Sequence, residues 1–407
     1  MRRAPNIVSI NNPEGPVANG NDITDGGCGT LAKETVASVV RPEIRTLSPY
    51  AVAKLDANAN ANASVKLDAM ENPYPLPDAV KARLSAALAG VAINRYPDAS
   101  GEGAKRALRR ALEIPEDAGL LLGNGSDELI QIIVSALAKP GAVVLAPDPS
   151  FVMYRMDALY ASARFVGVPL NPDFSLDRDA LLAAIERESP AVIFLAYPNN
   201  PTGNLFADAD VGAIIEASPG LVVVDEAYYA FADASFLARV PELPNLLVLR
   251  TLSKVGMAGI RLGYAVAASA WIAELNKVRQ PYNVNALTQA AVEALLFDTG
   301  WIAEQAQAIR AERARLESAL ARLPEVRVYP TQTNFVLVRV NDANRIFDGL
   351  KARRILIKNL HGWHPLLTNC LRMTVGTPAE NDLLLSALAE LGSSLGSPSG
   401  STRGPTQ

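Results

Sequence analysis

Lys254 lies in the run LRTLSKVGMAGIRLG (Leu249–Gly263). An apolar stretch, Leu246–Leu249, ends there in Thr251, Ser253 and Lys254, and Gly256, Gly259 and Arg261 follow. An amine just past a buried strand is placed to attack a carbonyl carbon, because burial favours its neutral, nucleophilic form. The neighbouring hydroxyls and guanidinium suit an anion. A single lysine of this kind is more often a solvated loop charge, so the reading depends on partners elsewhere in the chain.

Three further apolar runs end in groups that do chemistry. Ala191–Ala196 leads into Tyr197-Pro198-Asn199-Asn200-Pro201-Thr202-Gly203, Leu221–Val224 into Asp225-Glu226-Ala227-Tyr228, and Ala142–Ala146 into Pro147-Asp148-Pro149-Ser150-Phe151. Each has a plainer meaning: NNPTG makes a good turn, Asp225 is placed to cap a helix, Phe151 suits a core and Arg261 a surface. An acid ending a fully apolar strand is nevertheless costly to bury without a cation beside it. The loop Gly123-Asn124-Gly125-Ser126-Asp127 opens a helical pattern, and Gly-flanked helix N-termini present free N–H groups to phosphates. The sequence has neither GxxxxGK[ST] nor GxGxxG, which disfavours nucleotide hydrolysis and dinucleotide binding.

One ligand uses all of these groups. It carries a phosphate for Ser126, Asp127's helix turn, Thr251, Ser253 and Arg261. It has a group needing a carboxylate partner, Asp225, a flat ring for Phe151 and an aldehyde for Lys254. Pyridoxal 5′-phosphate meets all four demands. Asp225 then keeps the ring nitrogen protonated, and Tyr228 and Asn200 hydrogen-bond its phenolic oxygen.

The elements that must position these residues follow from periodicity. Leu129, Ile130, Ile132, Ile133, Ala136 and Leu137 recur at helical spacing in Ser126–Leu137, which Pro140-Gly141 terminates. Ala142–Ala146, Ala191–Ala196, Leu221–Val224 and Leu246–Leu249 are continuous, buried-type strands, with helices over Leu176–Glu188 and Ala207–Ala217 between them. This is the βαβ rhythm of a mainly parallel sheet covered on both faces, whose ligands bind beyond the strands' carboxyl ends. A long helix over Trp301–Leu323, strands over Val326–Tyr329, Asn334–Val340 and Leu371–Val375, and a helix over Asn381–Leu391 form a smaller α+β domain. The division expected is a disordered extension at 1–40, a segment at 41–75 packing on the small domain or a partner subunit, a large domain at 76–295, a small domain at 296–391 and a disordered tail at 392–407. The low-complexity run Asp56–Ser64 reads as a loop.

Composition narrows the classes. A net charge of −4 over 407 residues excludes a polybasic nucleic-acid or membrane surface. No apolar run reaches the roughly 18–20 residues that span a bilayer, and the start has no apolar secretory core. Two cysteines, Cys28 and Cys370, make no disulfide framework and point to a reducing cytoplasm. His361 and His364, the only histidines, read as loop residues rather than metal ligands.

The order NNPTG, DEAY and TLSK, with 25 residues from Asn200 to Asp225 and 29 from Asp225 to Lys254, resembles the fold-type I aminotransferases of class I/II. The resemblance covers roughly residues 41–391. It implies a large domain with a mixed seven-stranded sheet, a small domain, and a homodimer with its sites at the interface. Within that family the chain is most similar to the histidinol-phosphate aminotransferases, through Arg45–Tyr50 (RTLSPY), Leu67–Pro73 (LDAMENP), Asn94–Pro97 (NRYP) and Cys370–Gly376 (CLRMTVG). The resemblance implies that Arg372 grips a carboxylate, and that Tyr50, Lys358 and a partner subunit's copy of Tyr96 hold the substrate's phosphate. It also brings Tyr96 to the cofactor and Glu71, Asn72 and Asn200 to the substrate. The reaction implied is ping-pong exchange between L-histidinol phosphate and 2-oxoglutarate, giving imidazole acetol phosphate and glutamate.

Three departures from the family pattern carry expectations. Met70-Glu71 replaces an Asn-Glu pair, the stretch from Lys254 to Arg261 is one residue short, and Lys358 stands where an arginine is usual, so phosphate discrimination is expected to be weaker. Within the family, an aromatic or broad-range aminotransferase or a phosphothreonine decarboxylase would use the same residues. A transcription factor keeping the fold would need a DNA-binding module, which the acidic, Gly-rich residues 1–40 do not resemble.

Overall fold

The computed structural model of the chain describes residues 28–48 and 64–393. Thirteen strands appear among the described residues: β1 Val65–Lys66, β2 Gly119–Gly123, β3 Val143–Asp148, β4 Arg164–Pro169, β5 Val192–Ala196, β6 Leu221–Asp225, β7 Leu246–Thr251, β8 Gly263–Ala267, β9 Arg327–Tyr329, β10 Phe335–Arg339, β11 Ile355–Leu356, β12 Lys358–Asn359 and β13 Cys370–Thr374.

Seven of them form one sheet in the order β2-β8-β7-β6-β5-β3-β4. All neighbours are parallel except that β8 runs antiparallel to both β2 and β7. The eleven residues between Thr251 and Gly263 explain the reversal, since a parallel crossover needs about a dozen or more, usually with a helix. The period-2 alternation of strands sorts the side chains to two faces. Leu145, Ile193, Leu195, Val222, Val224 and Val248 enter one core and Val144, Phe194, Val223, Leu247 and Leu249 the other. Both faces are covered, so the central strands are apolar throughout.

The helix Ser126–Leu137 has the bounds that its spacing predicts, and the helices Arg178–Glu188 and Asp208–Ala217 begin one or two residues later than expected. Three strands escape the periodicity argument. β4 is an edge strand of mixed burial, and GLLLG and GYAVA are short runs bounded by glycine.

The C-terminal part packs the helix Gly300–Leu320 and the helices Ala343–Ala352 and Pro378–Ser393 around the antiparallel sheet β12-β13-β10-β9. β1 lies parallel to β11, which brings the following residues, Leu67–Pro75, onto this domain. The Met70 amide donates to Thr374 Oγ1 at 3.0 Å and its carbonyl accepts from Asn334 Nδ2 at 2.9 Å.

The N-terminal expectation needs correction. Residues 28–39, assigned above to a disordered extension, form the helix Cys28–Val39. Its sequence, CGTLAKETVASV, has no glycine or proline past the first turn, and the helix stops just before Pro42. Arg41 ties it to the large domain by donating to Tyr160 O at 2.7 Å and to Ser162 Oγ. The closing helix also runs to Ser393, two residues into the tail expected at 392–407. Residues 1–27, the expected loop Asp56–Ser64 apart from Ser64, and the tail from 394 lie outside the described residues.

His361 Nδ1 accepts from the Asn369 amide at 3.0 Å and His364 Nδ1 from the Leu366 amide at 3.1 Å, so both rings brace one loop. Cys370, expected beside a core strand, opens β13 and is buried as a free thiol. No helix of the described residues is long and apolar enough to cross a membrane.

Candidate active site

A cleft of about 440 Å³ opens beyond the carboxyl ends of β3, β5, β6 and β7, with the small domain as its far wall. It is lined by Asp68, Ala69 and Met70, by Ser126, Asp127, Phe151, Asn200, Asp225, Tyr228, Thr251, Ser253, Lys254 and Arg261, and by Lys358 and Arg372. Twelve residues named from sequence for the cofactor or substrate thus meet in one place. This is where a mainly parallel sheet receives ligands.

Lys254 follows β7 in a 3-10 turn, Ser253–Val255. Its Nζ donates to Ala69 O at 3.4 Å and lies 5.9 Å from the Tyr228 ring centroid. Burial, and then the nearby Arg372 guanidinium, lower its pKa to about 8. A substantial fraction is therefore the neutral amine near physiological pH.

Asp225 ends β6 and is 5% exposed. Its carboxylate accepts from Tyr154 Oη at 2.7 Å and from the Ala227 amide at 3.1 Å. Burial raises its pKa to about 6 against the opposing pull of those two bonds. A carboxylate held up in this way gains when a cation is placed beside it. Tyr154 is itself fully buried and stacks on Phe194 at 4.6 Å.

A candidate anion cradle is built from three elements. The Thr251 and Ser253 hydroxyls are 3.0 Å apart, and Arg261 donates to Ser253 Oγ at 3.3 Å. Arg261 Nη2 lies 3.8 Å from Asp127 Oδ2. The short stretch from Lys254 is absorbed by a second 3-10 turn, Ala258–Ile260, by Gly256 at φ 92° and by Arg261 itself at φ 55°. Gly256 needs its positive φ, whereas nothing crowds Gly259 and its φ is ordinary. Gly125, at φ 86°, likewise needs its positive φ, and a Cβ there would also stand 2.7 Å from the end of the flexible Arg261 side chain, at Nη2. The helix Ser126–Leu137 then presents its first N–H groups to the same space.

Arg372 is buried, donating to Asn200 Oδ1 at 2.6 Å and to Asp68 O at 3.1 Å. Asn200 therefore accepts through its oxygen, and a further bond into the cleft would come from its N–H₂. Lys358 pairs with Arg372 across β12 and β13.

Four predicted residues are not in this lining. Tyr50 lies outside the described residues. Tyr96 is 82% exposed and stacks on Tyr282 at 4.6 Å. Glu71 is drawn off by Lys66, 2.7 Å away, and Asn72 by Gln305 at 2.9 Å and the Tyr74 amide at 2.9 Å. Conversely, Tyr154, Asp68 and Ala69 were missed. The first had a signal, since Tyr154 stands one helical turn after Phe151 on the helix Val152–Tyr160. The other two accept from Arg372 and Lys254 through their backbone oxygens, which no side-chain pattern reveals. Met70 adopts φ 53°, a conformation that Asn tolerates better than Met.

The donor set fits pyridoxal 5′-phosphate. The Gly125 cradle with Thr251, Ser253 and Arg261 suits a phosphate, and buried Asp225 suits a protonated ring nitrogen. Phe151 offers a ring face and Lys254 an amine that burial keeps reactive.

Comparison with known proteins agrees with this reading. The family model described as aminotransferase class I and II matches residues 62–388. The chain is 58% identical over 356 residues to the histidinol-phosphate aminotransferase of Chromobacterium violaceum, covering 88% of this chain and 98% of that one. It is 51% identical over 361 residues to histidinol-phosphate aminotransferase 1 of Ralstonia nicotianae, covering 88% and 95%. A crystal structure of the Sinorhizobium meliloti histidinol-phosphate aminotransferase in complex with pyridoxal-5′-phosphate superposes with a TM-score of 0.79 at 29% identity, covering 88% and 98%.

Proposed function

The chain belongs to the class I and II aminotransferases, and from that premise we propose that it transfers an amino group between L-histidinol phosphate and 2-oxoglutarate in histidine biosynthesis. The observation that carries this is the arrangement of the cleft. A buried amine, Lys254, and a buried acid, Asp225, lie on the sheet side, and the cross-strand cations Lys358 and Arg372 face them from the small domain. Relatives 58% and 51% identical bear the same activity in their names.

When bound, pyridoxal 5′-phosphate supplies an aldehyde for amine exchange and a ring that takes up electron density. The protein's residues do the rest. Lys254 anchors the cofactor through Nζ and, once released, carries the proton removed from the substrate's Cα. Asp225 stabilises positive charge on the ring nitrogen, and Tyr154 keeps that carboxylate ionised by donating to it. Thr251, Ser253, Arg261 and the N-terminus of Ser126–Leu137 bind the cofactor's phosphate, with Phe151 against the ring. Asn200 and Tyr228 orient the phenolic edge. Arg372 takes the carboxylate of glutamate or 2-oxoglutarate and, with Lys358, the phosphate of histidinol phosphate.

The working unit in this reading is a homodimer. Ile93, Tyr96 and Tyr282 are exposed apolar or aromatic side chains near one another in sequence or by stacking, and pairing of two copies would carry Tyr96 toward a second cleft. Co-expression of Tyr96→Ser with Lys254→Ala chains tests this. Restored activity in the hybrid supports a shared site, and none opposes it.

Spectra of single half-reactions test the substrate. Histidinol phosphate should convert the bound cofactor to its aminated form, with histidinol, phenylalanine and threonine phosphate far slower. Fast conversion by phenylalanine, or release of carbon dioxide from threonine phosphate, would overturn the reading.

A further inference from the structure

Lys358 and Arg372 occupy paired positions on neighbouring antiparallel strands, so their side chains leave the sheet on the same side. Both line the cleft. Like charges directly opposite one another are unfavourable, and each is steadied by a neighbour of a different kind. Arg372 is held by the Asn200 and Asp68 oxygens described above. The Lys358 Nζ lies 4.9 Å from the centroid of the Trp363 indole.

Trp363 belongs to the loop that joins β12 to β13, and this loop is firmly fixed. The Leu360 amide donates to Cys370 O at 3.0 Å and the Trp363 amide to Leu360 O at 3.2 Å. The two histidine braces close the remainder of the loop. Gly362, at φ 85°, makes the turn that brings the indole back over β12. Leu360 and Leu367 are buried in the larger core, and Trp363 packs at its edge. The indole is a fixed surface, whereas the lysine stem is flexible.

We propose that Trp363 is a positioning residue for substrate specificity: its ring face holds the Lys358 ammonium beside Arg372, so that two oriented cations meet the phosphate of the amino donor. The assignment rests on the substrate reading given above. Lysine binds phosphate as a point charge, without the planar fork that directs an arginine. Its direction must therefore come from a neighbour. A ring face attracts the ammonium without neutralising it, which leaves the charge available to the substrate.

A double-mutant cycle tests the assignment. KM and kcat are measured for histidinol phosphate and for glutamate in the wild type, Trp363→Leu, Trp363→Phe, Lys358→Met and Trp363→Leu/Lys358→Met. Trp363→Leu should raise KM for histidinol phosphate about three- to thirtyfold, the range for loss of a cation–π contact, with kcat within about twofold. Trp363→Phe should stay within about threefold of the wild type, because it keeps a ring face. In the Lys358→Met background the loss of Trp363 should add nothing. An equal effect of Trp363→Leu in both backgrounds, or a rise in KM for glutamate as large as that for histidinol phosphate, overturns the assignment. If Trp363→Leu is poorly folded, the smaller effect of Trp363→Phe is carried through the same cycle. Failure of the wild type to turn over histidinol phosphate overturns the substrate reading, and this assignment with it. That outcome is seen before any variant is made.

Discussion

Lys254 and Asp225 are shifted toward neutrality from opposite directions, and the shifts make the cleft of the cofactor-free protein costly. The pKa of Lys254 is lowered to about 8 from an ordinary value of 10.5. Between those values the unfolded chain binds more protons than the folded one, so stability rises with pH through that window and the buried ammonium is a burden below it. Lys254→Met should abolish turnover yet stabilise the cofactor-free protein at pH 7 by about 1–3 kcal/mol. The gap should close above about pH 10.5, and chemical denaturation across that range measures it. Only the neutral amine joins to an aldehyde, so capture of pyridoxal phosphate by the cofactor-free protein should rise about tenfold per pH unit below pH 8 and level off above it. For Asp225 the native state holds the extra proton between about pH 4 and 6, so its contribution falls as pH rises through that range. Tyr154→Phe removes a hydrogen bond to the charged form, and such bonds are worth about 1.5–3 kcal/mol. The acid should shift further up, and cofactor affinity should fall roughly tenfold or more by fluorescence titration. That these residues share one cleft was legible in sequence because residue types stand at strand ends in a fixed order. Tyr154 was hidden because a tyrosine inside an apolar helix looks like core, and its bond to Asp225 spans 71 residues.

At the scale of elements, the proposed phosphate cradle depends on β8, a strand that periodicity did not reveal. Gly263 opens β8 opposite Gly123 and Thr251. A Cβ there would sit 2.5 Å from Gly125 C and closer still to the Ser126 amide. Those atoms are backbone and belong to the loop proposed to hold the cofactor's phosphate, so relief requires the loop to move. Gly263→Ala should therefore weaken pyridoxal phosphate binding more than tenfold and cost about 2 kcal/mol or more, read by titration and thermal melting. Gly125→Ala meets only the end of a flexible arginine, but at φ 86°. It should cost about 1 kcal/mol through the backbone alone, with affinity falling as Arg261 is pushed aside. Similar melting losses with unchanged affinity in both variants would show that the cradle tolerates displacement. The sequence marked Gly123 and Gly125 as a phosphate loop but attached no role to Gly263. Its reason for being glycine is a contact made through an antiparallel pairing with a segment 138 residues earlier (Gly125 to Gly263).

At the scale of the molecule, the two domains expected from the sequence do not keep separate cores. The larger cluster includes Tyr329, Leu337, Leu360, Leu367 and Cys370 from the C-terminal part together with Phe174, Phe206 and Phe236 from the large domain. The second cluster reaches back to Tyr228 and Phe231, beyond β6. Polar contacts cross the same boundary: Arg372 to Asn200, Arg310 to Ala230 O and Ala232 O, and Arg313 to Phe231 O. Composition and strand rhythm set the expected change of architecture near residue 296. They could not show that the boundary is packed, because such contacts depend on which faces meet. If each domain unfolded alone, it would expose half of a shared cluster, which at about 25 cal/mol per Å² opposes independent melting. Calorimetry of the cofactor-free protein should therefore give one transition, with calorimetric and van't Hoff enthalpies agreeing. Saturation with pyridoxal phosphate at about 100 times its Kd should raise that single transition by about 2.7 kcal/mol of stability without splitting it. Two resolved transitions, only one of them moved by the cofactor, would mean that the cleft lies between independently stable bodies. In that case Arg372 would not be held against Asn200 by a common core.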